Sequence, residues 1–383
     1  MGYICPYKFF NSGYGNNIRQ MISEKAGINK ILHFGVNQIF VNATTYTCLL
    51  FLQKQQGNTF KYFEFKDEVD NIEGQLSSNA ISYFDVSSEN AGKDNWIFTD
   101  DQTKNSLILL KRGKPTLEEI TTNIFQGPIA GADPVFILKL IEERKDIMRL
   151  YSKSLEQEVE IEKEILKPYI KGKQIRKNTI NDPIAYAIFP YHNGELLPII
   201  EIMNKYPNAY SYLNTKINKS ILLARENGRF KNIWWSYSRP QSLQIVFERK
   251  IITPYNAFSA SFALDERCDF IFSAGVAGAY GILLKDDVGI SYEYLLGLLN
   301  SKLIDNYVKA ISTALRGGFY SYENKYIKQI PIYIPNDKEK EKHLICNEIE
   351  KYQKQIITLK SDRLADKKFL EDKIDGLVGK LYD

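Results

Sequence analysis

With 383 residues and a formal net charge of +4, the chain is longer than a single core usually holds and only mildly basic. Its composition, 44% hydrophobic and 25% charged, is that of an ordinary globular protein. The cysteines Cys5, Cys48, Cys268 and Cys346 form no Cys-x-x-Cys pair, which argues against a zinc knuckle or a disulfide scaffold. No apolar run approaches the ~18 residues of a membrane span, and the start lacks the pattern of a signal peptide. We therefore expect a cytoplasmic protein that does not enter a membrane.

Short helical and strand patterns alternate over the first 65 residues, which is typical of part of an α/β sheet. We expect a helix at 16–25 and a buried strand at 30–34. Residues 44–52 are β-branched and then aliphatic, which predicts a central strand, and the alternating residues 60–65 indicate an edge strand.

A polar stretch from 66 to 110 follows, in which Trp96-Ile97-Phe98 is expected to dock onto a core. Thr116 and Glu119 have the spacing of a capping box. The alternating charges of 151–166 predict a helical linker with a solvated face.

Further along, His192-Asn193-Gly194 predicts a hairpin turn. Apolar residues at helical spacing predict helices at 206–222 and 292–310, and residues 327–335 alternate as a strand. Residues 274–281, rich in Gly and Ala, indicate a turn where backbones approach closely.

The first concentration of positive charge is Lys167–Lys177, called the basic segment below. It carries five cations, and Pro168 and Gly172 prevent a continuous helix. Such a segment can neutralise phosphates, which supply most of the affinity of proteins for DNA. On chemistry alone, a solvated basic loop is an equally good interpretation.

The run from Trp234 to Arg239 is a second candidate. If it is a strand, Trp235, Tyr237 and Arg239 share one face. Arginine is the best donor to the major-groove edge of guanine, whereas tyrosine more often positions the backbone. The alternative is that both tryptophans are core residues and Arg239 is a surface cation.

The third candidate is Arg316-Gly317-Gly318-Phe319-Tyr320. Its two glycines permit positive φ and can expose N–H groups to a phosphate. Arg316 before them, and Tyr320, Tyr322 and Lys325 after them, supply donors and stacking planes.

The C-terminal segment from Asn336 is charged and helical in pattern. Apolar residues recur at three- and four-residue steps from Ile345 to Leu359 and from Leu370 to Leu381. We expect an antiparallel helical hairpin docked on the body, with dimerisation through one seam as the alternative.

Several segments, in this order, resemble adenine-N6 DNA methyltransferases of the type IIG restriction–modification class. Gly2–Pro6, Ile31–Gly35 and Ala43–Thr47 are similar to the last third of the catalytic domain in that family. Pro168-x-x-Lys-Gly-Lys and Leu298–Lys302 resemble motifs of its TaqI-like C-terminal specificity domain.

The resemblance implies an α/β fold: an incomplete Rossmann-like methyltransferase sheet, an α+β target-recognition domain and a C-terminal helical hairpin. The expected boundaries are 1–70 for the methyltransferase remnant, 71–123 for a connection, 124–335 for target recognition and 336–383 for the helical tail.

Catalytic groups are not expected in this chain. It contains no Asn-Pro-Pro, and Gly13-Tyr14-Gly15 is better explained by turn chemistry than by a cofactor loop. The histidines are dispersed, and Glu64-x-Lys66 lacks a convincing upstream Asp for a nuclease site. S-adenosylmethionine is implied for the complete enzyme, but no cofactor or metal is expected in this chain.

The implied function is sequence-specific recognition of double-stranded DNA, with a catalytic half or a partner methyltransferase subunit supplied separately. A non-catalytic, type I-like specificity subunit that joins partners through its tail is the alternative. The residues expected to contact DNA are Lys171, Lys173, Arg176, Lys177, Arg229, Lys231, Tyr237, Arg239, Arg316, Tyr320, Tyr322 and Lys325.

Overall fold

The computed structural model describes residues 1–40, 45–65, 69–77, 81–93, 96, 98, 101–336, 338–359 and 362–383, without the side chains of 101 and 102. It is a mixed α/β protein. Among these residues no helix combines the length and the apolar character needed to cross a bilayer.

Two compact units make up the chain. Unit 1 comprises Met1–Gly113 and Tyr307–Ser321, and unit 2 comprises Lys114–Asn306 and Tyr322–Asp383. The four segments expected from the resemblance divide the chain by family relationship and not by compactness, and they stay predictions.

Helices and strands follow one another along the described part of the chain. Up to residue 120 they are β1 (Gly2–Pro6), α1 (Asn16–Lys25), β2 (Gly27–His33), β3 (Thr47–Gln53), β4 (Thr59–Glu64), α2 (Ile72–Ser77), β5 (Phe84–Ser87), α3 (Asp101–Lys111) and α4 (Leu117–Ile120). Up to residue 224 they are β6 (Thr121–Gln126), α5 (Asp133–Phe136), β7 (Ile137–Glu143), β8 (Ile147–Ser152), β9 (Gln157–Glu162), β10 (Leu166–Ile170), β11 (Ile175–Arg176), β12 (Thr179–Ile180), β13 (Ala185–Ile188), β14 (Tyr191–His192), β15 (Glu195–Leu196), α6 (Ile199–Lys205), α7 (Pro207–Leu213) and α8 (Lys216–Ala224). The remainder are β16 (Lys250–Pro254), β17 (Asn256–Ala257), β18 (Ala263–Asp265), β19 (Ile271–Phe272), β20 (Ala279–Leu284), α9 (Tyr292–Leu299), α10 (Lys302–Ile311), β21 (Ala314–Leu315), β22 (Phe319–Ser321), α11 (Asn324–Ile327), α12 (Lys340–Thr358) and α13 (Leu364–Tyr382).

Unit 1 is built on a mixed sheet of order β1-β3-β2-β4-β5. Strand β3 is antiparallel to β1 and β2, and β2 is parallel to β4, so β1, β2 and β4 run in one direction. Helix α1 has the predicted bounds. The predicted edge position of 60–65 is wrong, because β5 pairs with β4 on its outer side. The polar residues before β5 gave no signal of that pairing, and Thr44 of the predicted central strand lies outside the described residues.

Aromatic side chains fill the core of unit 1. The ring of Trp96 lies 5.3 Å from that of Phe10, and the ring of Phe98 lies 5.7 Å from it. Docking onto the core is therefore confirmed for Trp96 and Phe98, whereas Ile97 between them lies outside the described residues. Both contacts bury aromatic area, and the Phe10–Phe98 pair is edge-to-face.

Unit 2 contains two larger sheets, of order β19-β10-β13-β7-β8-β9 and β18-β16-β20-β6. The prediction of a helical linker at 151–166 is wrong, since β8 and β9 form a regular antiparallel hairpin there. Ile161 is buried and Glu158 and Glu160 are exposed, so the charges follow the two-residue period of a strand.

Two predicted helices are each broken into two. The 292–310 helix stops at Asn300, whose side chain hydrogen-bonds the backbone of Phe262, and α10 starts after Ser301. The 206–222 helix ends at Asn214, and Thr215 caps the next one. Polar side chains that bond the backbone interrupt helices in this way. The strand predicted at 327–335 is also wrong, because α11 ends at Ile327 and only Pro331 forms a bridge.

Other local predictions are confirmed. Thr116 and Glu119 form the capping box. Asn193 and Gly194 have φ of 48° and 82° and join β14 to β15. The tail forms two helices, α12 and α13, that pack on each other and on α9. Gly297 of α9 permits that packing, since a Cβ there would lie 2.8 Å from Ile349 Cγ2.

Candidate nucleic-acid interface

A tight turn fixes the basic segment in unit 2. Strand β10 leads into a 3-10 turn at Gly172–Gln174 and then into β11. The backbone N–H of Lys171 donates to Gln174 Oε1 at 3.0 Å, and the N–H of Gln174 donates to the Lys171 carbonyl at 2.9 Å. Because the Gln174 side chain is buried, its hydrogen bond fixes the turn to the interior of the protein. The side chains of Lys171, Lys173 and Arg176 are exposed around it.

The residues between β19 and β20 lie directly against this turn. Gly172 N–H donates to the Ala277 carbonyl at 2.9 Å. A Cβ at Gly172 would lie 2.6 Å from the Gly278 carbonyl oxygen, so only glycine permits the approach. Val276, at 70% exposure, is the most exposed large apolar residue of this 273–278 turn. From the sequence we predicted only a turn in this region. The β-branched Val276 among glycines and alanines was the signal that could have indicated an exposed contact residue.

Lys177 is placed differently from the other cations of the basic segment. Its ammonium forms a salt bridge of 3.2 Å with Glu371 of α13, and both side chains are partly buried. Lys167 is half-buried, with its ammonium 5.6 Å from the centre of the Phe247 ring. Lys171, Lys173 and Arg176 are therefore the cations of this segment that face solvent.

The run from Trp234 to Arg239 does not form the strand considered above, because the chain there forms turns held by a buried arginine. The Arg225 guanidinium donates to the carbonyls of Ala130, Trp234 and Ser236 at 2.7–2.9 Å. Both tryptophans are buried, and Arg239 is exposed with its backbone paired to Ile129.

Arg229 and Lys231 lie in the turns that precede Trp234, and both are exposed. The Arg229 guanidinium lies 3.4 Å from Glu226 and 5.7 Å from the centre of the Phe230 ring. An exposed ion pair of this kind contributes little to stability.

Tyr237 does not reach the surface, which corrects its predicted contact with DNA. It is 2% exposed, and its hydroxyl donates to the Ile188 carbonyl at 2.7 Å. Its N–H donates to the Tyr191 hydroxyl, and burial raises the pKa of Tyr237 well above its usual value. A buried tyrosine whose hydroxyl is hydrogen-bonded within the protein is a core residue.

Arg316 and Tyr320 belong to unit 1. Gly317 and Gly318 both have φ of 76°, as predicted, and Arg316 is exposed. The Arg316 N–H donates to the Tyr46 hydroxyl at 3.0 Å. Tyr320 is half-buried, with the Lys309 ammonium 5.4 Å from its ring centre.

Tyr322 and Lys325 belong to unit 2. Tyr322 is 0% exposed, and its hydroxyl donates to the Asp305 carboxylate, so its predicted contact with DNA is corrected as well. The half-exposed Lys325 ammonium lies 3.6 Å from Glu323 and 4.7 Å from the Tyr326 ring centre.

A family comparison places the basic segment within a known domain. Residues 167–332 match the model of the TaqI-like C-terminal specificity domain. This region is similar to TaqI-like specificity domains. It contains the basic segment, Arg239 and the 273–278 turn, and the predicted resemblance is confirmed for it.

Two curated enzymes that are longer than this chain are similar to parts of it or to all of it. The Escherichia coli type II restriction enzyme and methyltransferase RM.Eco57I is 26% identical over 409 residues, which cover 100% of this chain and 40% of that protein. The putative Methanocaldococcus jannaschii enzyme RM.MjaORFECS2P is 33% identical over 142 residues, covering 36% of this chain and 11% of that protein. The chain thus spans less than half the length of these curated relatives. The type IIL enzyme MmeI, solved in complex with DNA, is similar in fold with a TM-score of 0.60 and 11% identity, covering 100% of this chain and 46% of that one.

Unit 1 contains a cavity of about 90 Å³ lined by His33, Tyr62 and Glu64, among others. The Gly35 N–H donates to His33 Nδ1 at 2.9 Å, so that nitrogen carries no proton, and its 3.3 Å contact with Glu64 is not an ion pair. Burial lowers the pKa of His33. Lys66 of the Glu-x-Lys pattern lies outside the described residues. Within the described part of the chain, no cluster of His, Cys, Asp and Glu could hold a metal.

The second glycine of Gly13-Tyr14-Gly15 is closely packed. A Cβ at Gly15 would lie 2.1 Å from the Phe9 carbonyl oxygen and 2.7 Å from the Arg19 guanidinium. Protein atoms therefore fill the space beside this glycine.

Proposed function

We propose that this chain recognises double-stranded DNA, in the cytoplasm, as the target-recognition part of a type IIG restriction–modification protein that methylates adenine. The specificity domain binds the duplex. Binding of S-adenosylmethionine and methyl transfer are supplied by a catalytic half or a partner methyltransferase subunit. This chain positions DNA and carries out no chemistry itself.

The basic segment carries the proposal. Lys171, Lys173 and Arg176 are exposed on a turn whose backbone is held by the buried Gln174. Exposed cations on a rigid frame neutralise phosphates without a large loss of conformational freedom on binding. Such contacts set the register of a protein on DNA but read no sequence.

Base reading requires groups other than the phosphate contacts, and two exposed residues of the specificity domain are candidates. Arg239 is exposed on a backbone fixed by its pairing with Ile129, and arginine donates to both acceptors of guanine in the major groove. Val276 is adjacent to the basic segment through the Gly172–Ala277 hydrogen bond, and an exposed apolar side chain can contact the thymine methyl group.

The sheet of unit 1 supports the catalytic-remnant part of the proposal. Strands β1, β2 and β4 are parallel, and α1 lies in the connection between β1 and β2, a feature that doubly wound α/β sheets also have. The insertion of antiparallel β3 is compatible with such sheets, many of which are mixed.

Binding of duplex DNA as a function of salt concentration tests the proposal. We compare the wild-type chain with a Lys171→Ala/Lys173→Ala/Arg176→Ala variant. The control is Lys351→Ala/Lys373→Ala/Lys380→Ala, which removes the same charge from exposed positions of the tail. The basic-segment variant should bind more weakly, with a salt slope reduced by up to roughly 3, since each phosphate contact contributes about 0.9. If wild type and both variants bind alike, or none binds at low salt, the proposal is wrong.

The alternative, a type I-like subunit that joins partners through its tail, requires an apolar surface on the hairpin. Ile349, Ile356 and Ile374 are buried within unit 2. The exposed Leu344 lies near the start of α12, whereas the exposed Leu364 and Phe369 lie in the first part of α13, at the opposite end of the antiparallel hairpin. A few exposed apolar residues at separate places are normal on a protein surface, and we therefore favour the DNA-recognition proposal.

A further inference from the structure

The basic segment ends at a turn that is tied to the C-terminal tail. Strands β11 and β12 form a two-residue hairpin whose second turn residue is Asn178, with φ of 63°. Its backbone N–H donates to the Phe262 carbonyl at 2.9 Å, which fixes the turn to the body of the specificity domain.

The side chain of Asn178 bonds to both tail helices. Its Oδ1 accepts from Gln353 Nε2 of α12 at 2.9 Å, and its Nδ2 donates to Glu371 Oε1 of α13 at 3.0 Å. The same Oδ1 accepts from Asn300 Nδ2 at 2.8 Å. One side chain thus satisfies donors and acceptors from three helical segments, and Gln353 is 1% exposed.

A charge pair reinforces this connection. Lys177, the residue before Asn178, forms its 3.2 Å salt bridge with the other oxygen of Glu371. Glu371 therefore holds two successive residues of the turn that follows Lys171, Lys173 and Arg176. Buried polar groups that are fully satisfied fix one geometry, because any other leaves them without partners.

We propose that Asn178 is a positioning residue through which the tail helices α12 and α13 hold the basic segment in its DNA-binding conformation. This inference rests on the proposed function. It makes the tail part of the recognition apparatus without requiring a tail residue to contact DNA. Asn178 acts through the segment that precedes it: without its bonds to Gln353 and Glu371 the hairpin samples other conformations, and the cations lose their fixed spacing.

Two substitutions test the inference in the full chain. Asn178→Gly removes the side chain but retains a residue that tolerates positive φ, and Gln353→Ala removes one partner. Asn193→Gly, at another exposed turn with φ of 48°, and Gln355→Ala, at an exposed position of α12, are the matched controls. We expect both test variants to lose roughly tenfold in DNA affinity and the controls to stay within about twofold.

A second background separates positioning from general stability. In the Lys171→Ala/Lys173→Ala/Arg176→Ala variant, Asn178→Gly should cause no further loss of affinity, since the residues it positions are gone. An equal loss in both backgrounds contradicts the inference.

Amide hydrogen exchange of residues 171–181 gives a readout independent of DNA. Asn178→Gly should accelerate exchange there and leave the β8–β9 hairpin unchanged. Unchanged exchange at 171–181 overturns the inference. If the wild-type chain binds no DNA, the proposed function fails, and the exchange result still decides whether the tail holds the segment.

Discussion

Arg225 Nη2 donates a 2.7 Å hydrogen bond to the carbonyl oxygen of Trp234 from a side chain that is 7% exposed. The same guanidinium bonds the carbonyls of Ala130 and Ser236 through Nη1 and that of Leu222 through Nε. Burial lowers its pKa. The planar guanidinium presents its N–H donors in a fixed geometry, which allows it to bond four carbonyls at once. These bonds hold the turns on which Arg229 and Arg239 lie.

Arg225→Lys should therefore destabilise unit 2 strongly. A lysine ammonium cannot reach four carbonyls at once, and buried carbonyls left without a donor cost free energy. We expect the free energy of unfolding to fall by roughly 2–4 kcal/mol, measured by urea denaturation. Arg229→Lys, four residues on and exposed, is the control and should change it by less than about 0.5 kcal/mol. Equal effects of the two substitutions would contradict this role for Arg225.

The ion pair between Lys250 and Asp265 is the most deeply buried one in the described part of unit 2. Its atoms are 2.6 Å apart and both side chains are 0% exposed. Asp265→Ala should lower the free energy of unfolding by about 3–5 kcal/mol, because it leaves a buried ammonium uncompensated. The double substitution Lys250→Met/Asp265→Leu should cost less than Asp265→Ala alone.

Calorimetric or urea unfolding of the single and double variants distinguishes these outcomes. Glu201→Ala removes an exposed ion pair with Lys205 and serves as the control, with an expected change of about 0.3–0.5 kcal/mol. If the double variant is less stable than Asp265→Ala, the ion pair contributes more to stability than the removal of an unpaired buried charge can restore.

Gly172→Ala should weaken DNA binding and lower stability together. Its Cβ would meet the Gly278 carbonyl at 2.6 Å, which pushes the basic segment away from the 273–278 turn. Overpacking of this kind costs about 1–3 kcal/mol. Gly376→Ala in α13 has nothing within 4 Å of the new Cβ and should instead stabilise the helix by about 0.5–1 kcal/mol. Thermal unfolding and DNA titration of both variants check the contrast.

Acid should destabilise unit 1 through His33. Its pKa is lowered by burial, so between that value and about 6.5 the unfolded chain takes up a proton that the folded chain refuses. The stabilising contribution is complete above pH 6.5 and is lost as the pH falls below it, by up to about 1.4 kcal/mol per pH unit. The ring centre of Tyr7 lies 3.9 Å from that of His33 and contributes to its burial, and Glu64 opposes the lowering of the pKa.

Urea denaturation between pH 7.5 and 5 measures this dependence. His33→Gln retains an acceptor for the Gly35 N–H but cannot be protonated, and its stability should decline less steeply with acid than that of wild type. His192→Gln, at an exposed position, should follow the wild-type curve. Parallel curves for wild type and His33→Gln would rule out His33 as the titrating group.

Local elements of the fold could be predicted from the sequence. The bounds of α1, the capping box of Thr116 and the turn at Asn193-Gly194 all depend on residues within about four positions of one another. The position of a strand in its sheet could not be predicted where the pairing strand is distant in sequence. Strand β4, for example, is an inner strand only because β5 pairs with it. The β8–β9 hairpin was predicted as a helix, because exposed charged residues are compatible with the period of a helix as well as with that of a strand.

The candidate site was predicted only as a set of residue types. The cations at 171, 173 and 176 are exposed as the composition of the segment suggested. The prediction that Tyr237 and Tyr322 contact DNA was wrong, because tyrosine occurs both in protein cores and on surfaces.

By itself, the sequence determined α1, the capping box of Thr116 and the turn at Asn193-Gly194, the cationic chemistry of the basic segment and the resemblance to a specificity domain. Only the tertiary structure decided which tyrosines are core residues, that Lys177 pairs with Glu371, and that Asn178 joins the segment to Gln353. Those contacts connect residues more than a hundred positions apart. Their strength depends on burial and on exact partners, which arise only when distant segments pack together.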